Sequence, residues 1–204
     1  MNRLQMLAEL FKAVGKPERI GDVAAFKAGL IGGSGYREVE LALEPVRGRV
    51  PHLDLSQLES LPAGSFGREY ARFMSDNRLS VIAPTEAVPE SILRAASLTI
   101  RYGVTHDMFH VLTGFDASWP GEVGVWAFVG GQRYSRSFRF AAWLAMLVAP
   151  LLSPLRVGQA WRNWHRGWSM GQRAKTVIAE PLEDYLEEPV ASVRQKLGIE
   201  AVTV

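Results

Sequence analysis

The chain has 204 residues, 48% of them hydrophobic, 22% charged and 10% aromatic, which suits one domain with a sizeable core and excludes a disordered chain. It contains no cysteine, which excludes disulfides, thiolate metal sites and a cysteine nucleophile, so any metal must be held by nitrogen and oxygen. The net charge of +2 hides a segregation: residues 1–122 carry 13 basic and 15 acidic side chains, residues 123–179 eight and none, and residues 180–204 two and six.

In chain order, Leu4, Leu7, Phe11 and Val14 recur at helical spacing and predict a first helix. Glu9 interrupts its apolar pattern, so neither a signal nor a transit peptide is expected. A second helix is expected over 20–30, with Asp22 near its positive end. Gly32–Gly35 reads as a linker, 36–43 as a helix and 47–52 as a loop. In 61–77, Ser65 is placed to cap a helix whose stripe is Phe66, Tyr70, Phe73 and Met74. After Pro84 and Pro89, Ser91 opens the longest helical pattern, 92–112. A turn over 114–118 leads through Ser118-Trp119-Pro120 into a helix carrying Glu122. The apolar run 140–152, closed by Pro150 and Pro154, is too short for the ~20 residues of a bilayer span. Helices over 161–178 and 190–197 complete a single all-α domain, a multi-helix bundle over residues 1–204.

His106 and His110 are four residues apart, which stacks two imidazoles on one helical face. Asp107 adjoins His106, and Glu122 sits beyond the turn in the first turn of the next helix. Antiparallel folding of those two helices would bring Glu122 opposite the histidines, giving an N2O1 or N2O2 set. Such a set suits zinc with an open position, or non-haem iron held by two histidines and a carboxylate. His106-Asp107 also fits metal-dependent phosphohydrolases, but nothing around His52 or Asp184 supplies their remaining ligands. The sequence has no P-loop, dinucleotide fingerprint or G-x-S-x-G elbow.

The stretch RYGVTHDMFHVLTG…GE, from Arg101 to Glu122, resembles the signature of the ubiquinone biosynthesis family called coenzyme Q biosynthesis protein 4. That signature is His-Asp-x-x-His, eleven residues, then Glu. The segment LPAGSFGREYARFMSDN and the tail with Pro189, Val190, Arg194 and Leu197-Gly198-Ile199 resemble the same family, so the likeness runs over most of the chain. The resemblance implies an all-α, homodimeric, membrane-peripheral protein that holds one divalent metal. Zinc is the common one, with iron, cobalt or manganese as alternatives. It further implies removal of the ring carboxylate at C1 of a polyprenylated quinone precursor and its replacement by hydroxyl, within a complex of quinone-synthesis enzymes on the cytoplasmic side of a membrane. His106, Asp107, His110 and Glu122 would be the metal ligands, and Arg101 a partner for a substrate carboxylate or phosphate. After Gly-Glu the family usually continues Lys-Trp-Phe-Glu, whereas this chain reads Trp126-Ala127-Phe128-Val129.

All six tryptophans lie between Trp119 and Trp168, largely inside the basic block. Trp161, Trp164 and Trp168 share one helical face, beside Arg162 and Arg166. Basic residues with interfacial indoles suit an anionic leaflet, and a tryptophan stripe equally suits packing. Phe140, Trp143, Leu144 and Leu147, with Phe138, are candidate walls of an apolar lipid groove. No nucleic-acid module is recognisable, so no nucleic-acid partner is expected. Two functions follow: a metal-dependent decarboxylase of a polyprenyl hydroxybenzoate, or a prenyl-lipid-binding scaffold that presents intermediates to other enzymes.

Overall fold

The computed structural model describes residues 1–32 and 34–202, so Gly33 of the expected linker lies outside the described residues. Twelve α-helices follow in order among them: α1 Arg3–Ala13, α2 Ile20–Ile31, α3 Arg37–Ala42, α4 Leu55–Glu59, α5 Phe66–Asp76, α6 Glu90–Ala95, α7 Ser97–Thr113, α8 Trp119–Gly131, α9 Arg136–Leu147, α10 Ala149–Leu152, α11 Val157–Arg173 and α12 Val190–Leu197. Short 3₁₀ turns join several of them, and the described residues contain no strand beyond one isolated bridge between Ser65 and Pro189. The fold is all-α, as the periodicity requires. None of the helices is long and apolar enough to cross a membrane among the described residues.

The main core lies between α5, α7, α8 and α12, where Phe66, Tyr70, Met74, Phe109, Leu112, Phe128, Val193 and Leu197 are buried. Burying each such side chain contributes roughly 1.5–3 kcal/mol, less the entropy of fixing it. Ser65 caps α5 as expected, its hydroxyl accepting from the Arg68 amide. The short helix α4 has no counterpart in the sequence pattern; Asp54 starts it by accepting from the Ser56 and Gln57 amides.

The expected helix 92–112 is broken at Ala96, whose φ of −108° and ψ of 27° leave the helical well. The loop after α3 fills the break. The Arg47 guanidinium donates to the Arg94 carbonyl, and the Gly48 amide donates to the Ser97 hydroxyl. The expected helix 161–178 starts four residues earlier, at Val157, and ends at Arg173, where Ala174 turns extended.

The apolar stripe of α1 faces outward: Leu4, Leu7, Phe11 and Val14 are exposed, and the helix buries Met6 and Ala13 instead. Asp22 stands in the first turn of α2 as expected and is fully buried. Its carboxylate accepts from the Thr85 amide and hydroxyl and from Arg19, tying α2 to the loop before α6.

Helices α8 and α11 approach backbone to backbone. A Cβ on Gly167 would lie 2.1 Å from the Gly124 carbonyl oxygen, and one on Gly171 would lie 2.1 Å from that of Phe128. Only glycine permits that contact, which sets α11 rigidly along α8 and so fixes the helix that carries Glu122.

Candidate metal centre

Helix α7 ends at Gly114, a left-handed cap with φ of 79°, and the chain re-enters helix at Trp119. The tight reversal makes α7 and α8 antiparallel neighbours and places Glu122 against His106 and His110. His106 Nε2 lies 3.3 Å from Glu122 Oε2, and His110 Nε2 lies 3.2 Å from Glu122 Oε1. Ligand atoms of His106, Asp107 and His110 also fall within 4.8 Å of one another. The two histidines are thus shared by two sets, one with Asp107 on their own helix and one with Glu122 across from it.

The second nitrogen of each imidazole is held. His110 Nδ1 donates to the Phe115 carbonyl at 3.0 Å, which directs Nε2 into the site. His106 Nδ1 lies 3.0 Å from the Tyr102 hydroxyl. Phe73 stacks on the His110 ring at 5.1 Å and 20°, closing its other side. Tyr102, Phe73 and Trp126 were not singled out as site residues by sequence. Tyr102 was legible in principle, because it precedes His106 by one helical turn.

A neutral His110 presents its Nε2 lone pair to a carboxylate oxygen, and that buried nitrogen has no hydrogen-bond partner. Two acceptors face one another stably only with a proton or a cation between them. Burial works to lower the His110 pKa, yet the adjacent Glu122 carboxylate outweighs it and the pKa is raised. Burial likewise opposes ionisation of Glu122, but the adjacent His106 and His110 imidazoles outweigh it and hold its carboxyl down at about 2. Asp107 is shifted up, chiefly by burial.

The donor set fits a divalent ion. Each imidazole nitrogen faces its own Glu122 oxygen, at 3.3 and 3.2 Å, a separation close to the roughly 3.3–3.4 Å between two ligand atoms of a tetrahedral ion with bonds of about 2.0–2.1 Å. His106 and Glu122 are partly exposed while His110 is buried, so the site opens to solvent on one side.

Arg101 does not belong to this site. Its guanidinium is buried and donates to both carboxylate oxygens of Glu183, at 3.3 and 2.9 Å. The remaining donors reach the carbonyls of Ile178, at 2.8 Å, and of Glu180. The expectation that Arg101 meets a substrate anion is therefore corrected: its donors are committed to tying α7 to residues 178–183.

The expected groove walls are also redistributed. Phe140, Trp143, Leu144, Leu147 and Trp161 are exposed and form an outward face, Trp168 is half-buried, and Trp164 is buried. Trp164 stacks on Trp168 at 5.0 Å and lies 4.4 Å from Trp143, so it is packing. Phe138 is in the core against Tyr102. Of the two positions that depart from the family pattern, Val129 is fully buried in the core. Trp126 stands beside the site, its ring 6.5 Å from that of His106.

Fold and site together define an all-helical protein with two histidines and two carboxylates gathered on an antiparallel helix pair as a candidate metal site. The family model for "Coenzyme Q (ubiquinone) biosynthesis protein Coq4" matches residues 47–203, and the chain belongs to that family. Curated relatives include the mitochondrial ubiquinone biosynthesis protein COQ4 homologs of Rattus norvegicus, 36% identical, and Homo sapiens, 35% identical. The alignments cover 72% of this chain and 55% of the rat protein, and 73% of this chain and 56% of the human one. The chain thus spans about half the length of these relatives. The fold is similar to that of a crystal structure from Nostoc punctiforme, with a TM-score of 0.65 over 98% of this chain and 95% of that one, at 22% identity.

Proposed function

We propose that this chain binds one divalent metal ion through His106, Asp107, His110 and Glu122, and that it serves ubiquinone synthesis at a membrane surface. Its reaction would be oxidative decarboxylation at ring C1 of a polyprenylated hydroxybenzoate. The observation that supports this reading is a buried His110 nitrogen with no hydrogen-bond partner facing Glu122, with His106 and Asp107 grouped beside it. Zinc is the first candidate, with iron, cobalt or manganese compatible with the same donors.

When bound, the ion would supply Lewis-acid polarisation of the ring carboxylate or phenol, and a redox-active metal would also relay electrons, which zinc does not. The net change adds dioxygen, two electrons and two protons to the benzoic acid and yields the phenol, carbon dioxide and water, so an external electron donor is required. The chain's own residues do the positioning. The Phe115 carbonyl fixes the His110 tautomer, and the Tyr102 hydroxyl orients His106. Trp126, Tyr102 and Phe138 pack together into an aromatic wall beside His106, suited to the flat face of a ring.

A second reading is a non-catalytic prenyl-lipid scaffold. One observation favours it: the titratable groups gathered at the site are the candidate ligands and buried tyrosines, leaving no dedicated proton carrier. Both readings share partners in a second copy of the chain and other quinone-synthesis enzymes. Alanine at His106 or Glu122 separates them. The enzyme reading expects quinone production to vanish together with metal binding. Normal quinone levels in these variants, with isoprenoid co-purifying, would leave the scaffold.

A further inference from the structure

We infer that the outward face of α9, with the α10 tip after it, docks in the interfacial region of an anionic lipid leaflet. The inference deepens the proposed membrane setting by naming the contact, and it rests on that reading only for its biological context. Helices ordinarily bury their large apolar side chains, and beyond Phe138 at its start α9 does the reverse. It packs Ala142 and Ala145 inward, and Ala149 of α10 follows on the same buried side. Outward stand Phe140 at 68% exposure, Trp143, Leu144 and Leu147 at 76%. At the tip, Leu151 is 81% exposed and Leu155 is 99%.

These positions recur every three or four residues from 140 to 151, so they form one stripe along the surface rather than scattered exposures. The stripe begins at Arg136 and Arg139 and is followed by Arg156 and Arg162, inside the block 123–179 that contains no acidic residue. The nearest acid paired to this ring is Asp116, 3.8 Å from Arg156. An apolar stripe bordered by cations and indoles, with Asp116 the one acid paired to them, complements phosphate headgroups over acyl chains.

The same charge argues against self-pairing. A two-fold interface through this face would set its arginines against an identical set with no acid to receive them. The exposed stripe of α1 offers the contrast: Leu4, Phe11 and Val14 are bare there as well, but Glu9 and Lys12 share the helix and pair with each other. The α9 stripe, by contrast, lies in a block of sequence that has no acidic residue.

The docking face also adjoins the metal site. Beneath it, Val123, Ala145, Ala149, Ala160 and Trp164 form a small cluster against which Trp126 packs. Trp126 in turn stands beside His106.

The test is flotation of the full chain with vesicles of phosphatidylcholine alone or mixed with phosphatidylglycerol, without substrate or added metal. Wild type is expected to float with the anionic vesicles and much less with the neutral ones. Leu151→Asp with Leu155→Asp should reduce the bound fraction about tenfold or more, because charge replaces side chains meant to enter the leaflet. Arg136→Gln with Arg156→Gln should remove the preference for phosphatidylglycerol. Leu4→Ser with Phe11→Ser should leave binding unchanged. All substituted positions are exposed, and circular dichroism checks that each variant folds. The inference is overturned if wild type does not float, or if the tip variant floats like wild type. It is equally overturned if only the α1 variant loses binding, or if the tip variant turns a dimer into a monomer without changing flotation. Because metal plays no part in this readout, failure here is distinct from failure of the proposed chemistry.

Discussion

Replacing Arg101 by alanine tests whether this arginine is structural or functional. In the folded chain its guanidinium is 1% exposed and its partner Glu183 10% exposed, joined by two hydrogen bonds at 3.3 and 2.9 Å. Removing the cation leaves a nearly buried carboxylate with only Arg49, at 3.1 Å, to balance it. It also strips the carbonyls of Ile178 and Glu180 of their side-chain donor. Breaking a buried ion pair from one side costs about 3–5 kcal/mol, a large share of the roughly 5–15 kcal/mol that holds a typical domain folded. At about 2–4 °C per kcal/mol for a chain of this size, Tm should fall by about 6–20 °C. Arg101→Lys should recover part of the loss, because an ammonium cannot reproduce the two-pronged contact. Arg101→Met combined with Glu183→Met should cost less than Arg101→Ala, since no charge is then orphaned. Calorimetry on the variants reads all three. A melting temperature within about 2 °C of wild type, together with lost quinone production, would refute the structural assignment and return Arg101 to the substrate.

Tyr102→Phe removes the hydroxyl that faces His106 Nδ1 while keeping the ring in the core, and should weaken metal affinity about 10–100-fold. Chelator competition measures this, and an unchanged affinity would dismiss the orienting role. Gly167→Ala places a methyl 2.1 Å from the Gly124 carbonyl, where backbone cannot yield, and should destabilise by about 1–3 kcal/mol or more. Urea denaturation would show this, and a neutral result would mean that α8 and α11 can separate freely. Metal affinity should also rise with pH through the raised pKa of His110. Its Nδ1 proton is committed to Phe115, so the titrating proton sits on Nε2 and must leave before an ion binds. Chelator competition across pH checks the sign, and a flat profile would remove His110 from the ligand set.

The approach of Glu122 to the two histidines is legible in the sequence because it is local. His106 and His110 share a face by helical spacing alone, and the Gly114 cap with Pro120 at the next helix start announces the reversal that brings Glu122 across. Arg101 was misread because its partner lies 82 residues further along the chain, and pairing at that distance leaves no periodic trace. The break at Ala96 was hidden for a similar reason. Residues around it favour a continuous helix, and the bend is held by donors from the Arg47–Gly48 loop. The α1 stripe shows the limit of periodicity itself: spacing reveals that Leu4, Leu7 and Phe11 share a face, while burial decides that the opposite face packs. Trp164 and Trp161, three residues apart on one helix, were separated only by packing against α9.

The central claim is that His106, Asp107, His110 and Glu122 hold a metal, and elemental analysis of the purified chain tests it most directly. After incubation with zinc or ferrous iron and removal of the excess, wild type should retain about one ion per chain. His110→Ala and Glu122→Gln should retain little while keeping the helical signal in circular dichroism. A wild-type chain that retains no ion, or variants that retain as much as wild type, would contradict the account.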